Sequence, residues 1–176
     1  MIPMEGMAYR RLNDIQPGNL LYYVEGQTAP VLALRIKHSG GRQGTEPYSA
    51  ALILSGDAGG LRMPLVDATK RSSYYIDLGA KPLVAWNVPL SAAPRSTREN
   101  LAVGYLLLTA SGPWLSSVYL GGRGDLMYWD LSTGELQSIG DQEFTFITEW
   151  SIGLADTSGL FCRLVTYPAD FRAVGT

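Results

Sequence analysis

The chain has 176 residues, a net charge of −2 and 17% charged residues, which suits one well-buried core and argues against non-specific affinity for nucleic acid. Its 20 glycines and 10 prolines cut it into short segments, the composition of a turn-rich β protein. A single cysteine, Cys162, excludes an internal disulfide, and a single histidine, His38, excludes the paired or triple histidine sites on which most zinc chemistry rests.

Residues 1–18 mix methionines and Tyr9 with Pro, Gly and charges without a period. They are expected to form an irregular arm ahead of a β domain over 19–176, and they lack the basic start and apolar core of a secretory signal. Pro17-Gly18 turns the chain into a strand over 20–24, and residues 25–28 reverse it into a second over 31–37. There Leu32, Leu34 and Ile36 are expected to face the core, with Arg35 and Lys37 on a wet opposite side.

The loop 38–47 leads to a strand over 48–54, and long loops on rigid sheets often carry function. His38 offers a base and Arg42 a cation, so both are candidate ligand-binding residues. Without Gly-Lys-Ser/Thr the loop is not a phosphate-binding P-loop. Alternation over 61–66 gives a further strand, which Pro64 sends to an edge or a bulge, and 73–77 with 82–87 reads as a hairpin pair. Residues 92–100 are the clearest break, so any subdivision of the domain is expected near 90–100. Ser96 followed by Glu99 fits a capping box and a short helix towards Ala102. The run 101–109 is apolar on both faces and is expected to be a central strand, with Gly104 admitting a close neighbour. It is too short to span a bilayer as a helix.

After a strand over 114–120 comes the best-specified stretch, 126–139. Apolar and aromatic flanks enclose Asp130-Leu-Ser-Thr-Gly-Glu135, which predicts an antiparallel hairpin. Asp130 is expected to accept from the amides of Ser132 or Thr133, and Gly134 to take the positive φ that closes the loop. Phe144, Phe146, Thr148 and Trp150 then alternate with Thr145, Ile147 and Glu149 as one strand. Residues 153–159 read as a loop, and 160–167 close the fold. The expected fold is all-β: a single-domain antiparallel sandwich or barrel of about ten to twelve short strands, with at most one or two short helices.

Charge is unevenly spread, with six carboxylates and no Lys or Arg between Asp125 and Glu149. A metal site would be drawn from Asp125, Asp130 and Glu135, because like charges flanking a hairpin loop repel unless a cation or proton relieves them. The competing reading has Asp130 folded back onto its turn and Glu135 in water, and the strength of Asp as a turn former favours it. Gly121-Gly-Arg-Gly-Asp125 approaches a calcium-binding glycine-rich repeat, but its aspartate arrives one residue early and no second copy exists. Trp114 and Trp129 are the candidate stacking residues for a ligand ring. Cys162, beside Leu160 and Leu164, reads as a buried structural thiol.

Acid, base and metal-ligand inventories are thin while strand edges and aromatics are plentiful. The expectation is therefore a non-catalytic binding or assembly module that associates with itself or another protein and uses no cofactor. The alternative is a ligand-binding barrel or sandwich that holds a carbohydrate or small apolar molecule near Trp114 or Trp129. A third reading is a hydrolase using His38 or the acidic 125–149 segment. With no secretory signal or long apolar run, a cytoplasmic protein without nucleic-acid or membrane partners is the simplest expectation.

Overall fold

The computed structural model describes residues 7–23, 31–38, 48–54, 62–63, 74–87, 101–119, 126–140, 143–156 and 158–167. The first half of the chain supplies strands β1 (Ala8–Arg11), β2 (Leu20–Tyr23), β3 (Val31–His38), β4 (Tyr48–Ile53), β5 (Arg62–Met63), β6 (Tyr74–Asp77) and β7 (Leu83–Trp86). The second half supplies β8 (Leu106–Thr109), β9 (Gly112–Tyr119), β10 (Leu126–Asp130), β11 (Leu136–Gln137), β12 (Thr145–Ile147), β13 (Trp150–Ala155) and β14 (Phe161–Tyr167). A 3-10 turn at Leu12–Asp14 is the one helical element among the described residues, none of which forms a helix long and apolar enough to cross a membrane.

The strands form three sheets, so the all-β, antiparallel, sandwich-like class expected from the sequence holds. The first sheet runs β1-β6-β2-β3-β4, the second β11-β10-β9-β8-β12, and the third β14-β13-β7. Short β5 lies parallel beside the far end of β9, and an isolated parallel bridge joins Lys37 of β3 to Glu135; the other strand pairs among the described residues are antiparallel. One face of each sheet feeds a shared core. Leu20, Leu34, Leu52, Leu106, Trp129, Trp150 and Ile152 all belong to it and all are almost fully buried. Burial of that kind supplies roughly 1.5–3 kcal/mol per large apolar side chain.

Two sheets also bury part of their other face. On the first sheet, Leu12 and Ile15 from the 3-10 turn cover Leu21, Ala33, Ala51 and Tyr75. Residues 8–15 thus depart from the irregular arm expected there, since β1 pairs with β6 over four positions. They also close the side of β3 expected to be wet. Arg35 is only 6% exposed, and its guanidinium donates to the carbonyls of Leu12, Ile36 and Ala50. Burial pushes its pKa down to about 10. On the second sheet, Leu107, Trp114, Ile139 and Phe144 form a separate cluster on the face away from the shared core. This is the two-sided burial expected of 101–109, although the strand begins only at Leu106, after a turn at 103–104.

One pairing and two strand bounds differ from expectation. The segments 73–77 and 82–87 do not form a hairpin with each other: β6 joins β1 and β2, while β7 joins β13. The alternating stretch 144–150 is broken by bends at Thr148 and Glu149, so β12 ends at Ile147 and a new strand starts at Trp150. That strand continues to Ala155, through half of the segment expected to be a loop. A two-residue period reports which way side chains point but not which neighbour a strand joins. The helix expected from Ser96 falls outside the described residues up to 100, and residues 101–102 are not helical.

The hairpin at 126–139 forms as expected and clasps the first sheet to the second. The Asp130 carboxylate accepts from the Ser132 amide at 2.7 Å, the Ser132 hydroxyl at 2.6 Å and the Thr133 amide at 3.0 Å. Gly134 sits at φ +69, and its carbonyl accepts from the Lys37 amide at 2.7 Å. A Cβ at Gly134 would stand 2.4 Å from the Arg35 carbonyl oxygen and 2.6 Å from the Gly18 nitrogen. Only glycine lets the two backbones meet this closely. Lys81 reaches across to donate to the Ser132 carbonyl, and Lys37 pairs with Glu135 at 3.2 Å on the surface.

Candidate functional site

The residues singled out in the sequence do not come together. Trp114 and Trp129 are 1% and 0% exposed, so neither offers a face to a ligand. The Trp129 indole donates to Ser117 Oγ at 2.9 Å, whereas that of Trp114 finds no acceptor among the described residues. His38 ends β3 in register with Tyr48, and Arg42 and Asp125 lie outside the described residues. Asp130 is occupied by its own turn, and Glu135 is the exposed partner of Lys37. Among the described residues no three His, Cys, Asp or Glu side chains gather in a metal-holding group.

A recess opens instead on the third sheet. Its register sets Trp150 opposite both Trp86 and Tyr167, Ser151 opposite Ala85 and Thr166, and Gly153 opposite Leu83 and Arg163. Directly opposed residues share a face. Val84, Trp86, Ile152, Leu154, Val165 and Tyr167 therefore look into the shared core, and Leu83, Ala85, Ser151, Gly153, Arg163 and Thr166 look out.

The inward face anchors the sheet. The Trp150 indole donates to the Gly104 carbonyl at 2.8 Å, and its ring stacks on Tyr167 at 5.2 Å. Tyr167 in turn donates its hydroxyl to the Val103 carbonyl at 3.0 Å. A Cβ at Gly104 would fall 2.0 Å from the Tyr167 ring, so this glycine does admit a close neighbour, though from a turn at φ +85 rather than from a strand. Desolvation, then the nearby Tyr105, holds the Tyr167 hydroxyl pKa above its ordinary value.

The outward face combines a polar recess with apolar surface. The recess, of about 260 Å³, is lined by Ala85, Asn87, Ser151, Thr166, Glu149 and Arg163 together with Trp86, Trp150 and Tyr167. Ser151 and Thr166 share a hydroxyl–hydroxyl hydrogen bond of 3.3 Å along it. Neither Glu149 nor Arg163 has an ion-pair partner among the described residues. Elsewhere on this sheet, Leu83 is 45% and Phe161 37% exposed, and Leu160, just before β14, at 67% corrects its reading as a buried neighbour of Cys162. Cys162 itself is half-buried. Ahead of Leu160, Asp156 accepts from the Ser158 hydroxyl at 2.6 Å and from the amides of Ser158 and Leu160. The Ser158 hydroxyl bond, followed by the backbone ones, holds the Asp156 carboxyl below the usual carboxylate range.

Sequence reasoning missed this face because its members are scattered over three segments. The one local signal was the alternation in 82–87, where Leu83, Ala85 and Asn87 occupy one side and Val84 and Trp86 the other. Comparison of the chain with family models, curated proteins and solved structures finds no match in any of the three.

Proposed function

We propose that the chain is a non-catalytic binding module that assembles with copies of itself through the third sheet. The observation that supports this most directly is β14, a seven-residue edge strand that pairs with β13 alone among the described strands. The exposed Leu160 and Phe161 stand at its start. Three of the other sheet edges carry protections against pairing. The edge strand β1 ends in Arg10 and Arg11, while β11 and β12 are only two and three residues long. A long edge with exposed apolar side chains suits association. Light scattering on the full chain over a range of concentrations tests it: a mass that climbs above that of one chain is expected, and a strict monomer throughout rejects the reading.

A second reading is favoured by the recess beside Ser151. Charged, amide and hydroxyl groups of both donor and acceptor character line it, which suits a small polyhydroxylated ligand such as a monosaccharide. Titration with simple sugars, followed by the chemical shifts of the Asn87 and Ser151 amides, checks this reading; unshifted signals throughout reject it.

A further inference from the structure

Resting on the self-association proposed above, we infer that the contact is the outward face of the third sheet. Two copies would meet there about a two-fold axis, and Arg163 of each would pair with Glu149 of the other. An isologous interface must be self-complementary, because the same patch supplies both sides. This face meets that requirement in two ways. Leu83, Gly153 and Phe161 make an apolar strip across all three strands: Gly153 is opposite Leu83, and the Phe161 ring lies within 2.8 Å of where a Gly153 Cβ would be. The same face also carries one cation and one anion at a single recess. Both are exposed, and neither is answered by another described residue.

Within one chain, Arg163 and Glu149 line the same recess without closing to ion-pair distance. Exchange between copies gives each a partner of opposite sign, and the apolar strip excludes water around the pair. A patch of one sign only would repel its own copy. Three strands at ordinary spacing make a face of roughly 14 by 20 Å, which places the contact among small, exchangeable interfaces rather than obligate ones. Association is therefore expected to vary with concentration over the range reached in solution.

Sedimentation velocity on the full chain, run beside E149R, R163E and the double variant E149R/R163E, tests the assignment. Both side chains are exposed, so the far-ultraviolet spectrum and melting temperature should stay unchanged and report intact folding. Each single reversal is expected to weaken association by at least about tenfold, since it sets like charges face to face. The double reversal recreates the exchange with signs swapped and is expected to recover to within about threefold of the original. If the natural chain associates but neither single reversal alters it, or if the double variant stays as weak as the singles, this face is not the contact. A chain that remains monomeric at every concentration rejects the inference and the self-association reading together.

Discussion

The hairpin tip at 130–135 and the outward face of the third sheet are both polar, and they differ in where their polar groups find partners. At the tip, Asp130 accepts three hydrogen bonds, Gly134 accepts from Lys37, Lys81 reaches Ser132, and Glu135 meets Lys37. On the third sheet, Arg163 and Glu149 stand exposed without an ion-pair partner, with apolar Leu83 and Phe161 exposed elsewhere on it. The first arrangement is what a chain uses to hold itself together. The second leaves interaction capacity facing outward. Substitutions at the tip should therefore act on stability, and those on the face on association.

The sharpest way to break the contrast is Gly134→Ala. The new Cβ meets the Arg35 carbonyl oxygen at 2.4 Å with φ fixed at +69. Left-handed backbone strain and displacement of two backbones add up to about 3 kcal/mol, read as a lowered urea midpoint. Asp130→Ala keeps the backbone but strips acceptors from the amides of Ser132 and Thr133, and about 2 kcal/mol is expected to be lost. If either variant unfolded at the natural midpoint, the tip would not be a clasp.

On the inward side of the third sheet, Tyr167→Phe sharpens the comparison. It removes the hydroxyl donated to Val103, a loss of about 1 kcal/mol, while leaving the stacking on Trp150. Its pH signature has a defined sign. Desolvation raises the folded pKa of Tyr167 above 10.0, so the unfolded chain gives up this proton first. Stability from the group is complete below about pH 10 and falls as pH rises through the folded value. Tyr22, raised by burial, adds to that fall, and Arg35, lowered to about 10 by burial, opposes it because the unfolded chain holds that proton longer. The Phe variant should therefore lose stability less steeply with rising alkali than the natural chain. An equal slope would mean that Tyr167 is as solvated folded as unfolded.

Much of the clasp was legible in the sequence, because its determinants are local. Asp130 and Gly134 sit in one turn, and turn chemistry acts over four or five residues. The all-β class was legible for a related reason, since short apolar runs cut by glycine and proline report strands wherever they pair. The third sheet was not. It joins residues 83–86, 150–155 and 161–167, and no local pattern states that these segments are neighbours. Trp114 and Trp129 were misleading for a physical reason: residues next to turns look accessible along the chain, yet both faces of the second sheet are covered, so Trp129 is buried in the shared core and Trp114 in the cluster on the opposite face.

The smallest expected effect decides whether charge as such separates the two regions. Lys37 and Glu135 pair at 3.2 Å, with their side chains 56% and 49% exposed, so water screens them and holding both ends costs side-chain entropy. Lys37→Ala is expected to shift stability by no more than about 0.5 kcal/mol and to leave the sedimentation profile unchanged. The pair is already answered within its own chain and carries nothing for a neighbour. If this variant changed the mass in solution as much as R163E, surface charge anywhere would govern association, and the third sheet would hold no special place in it.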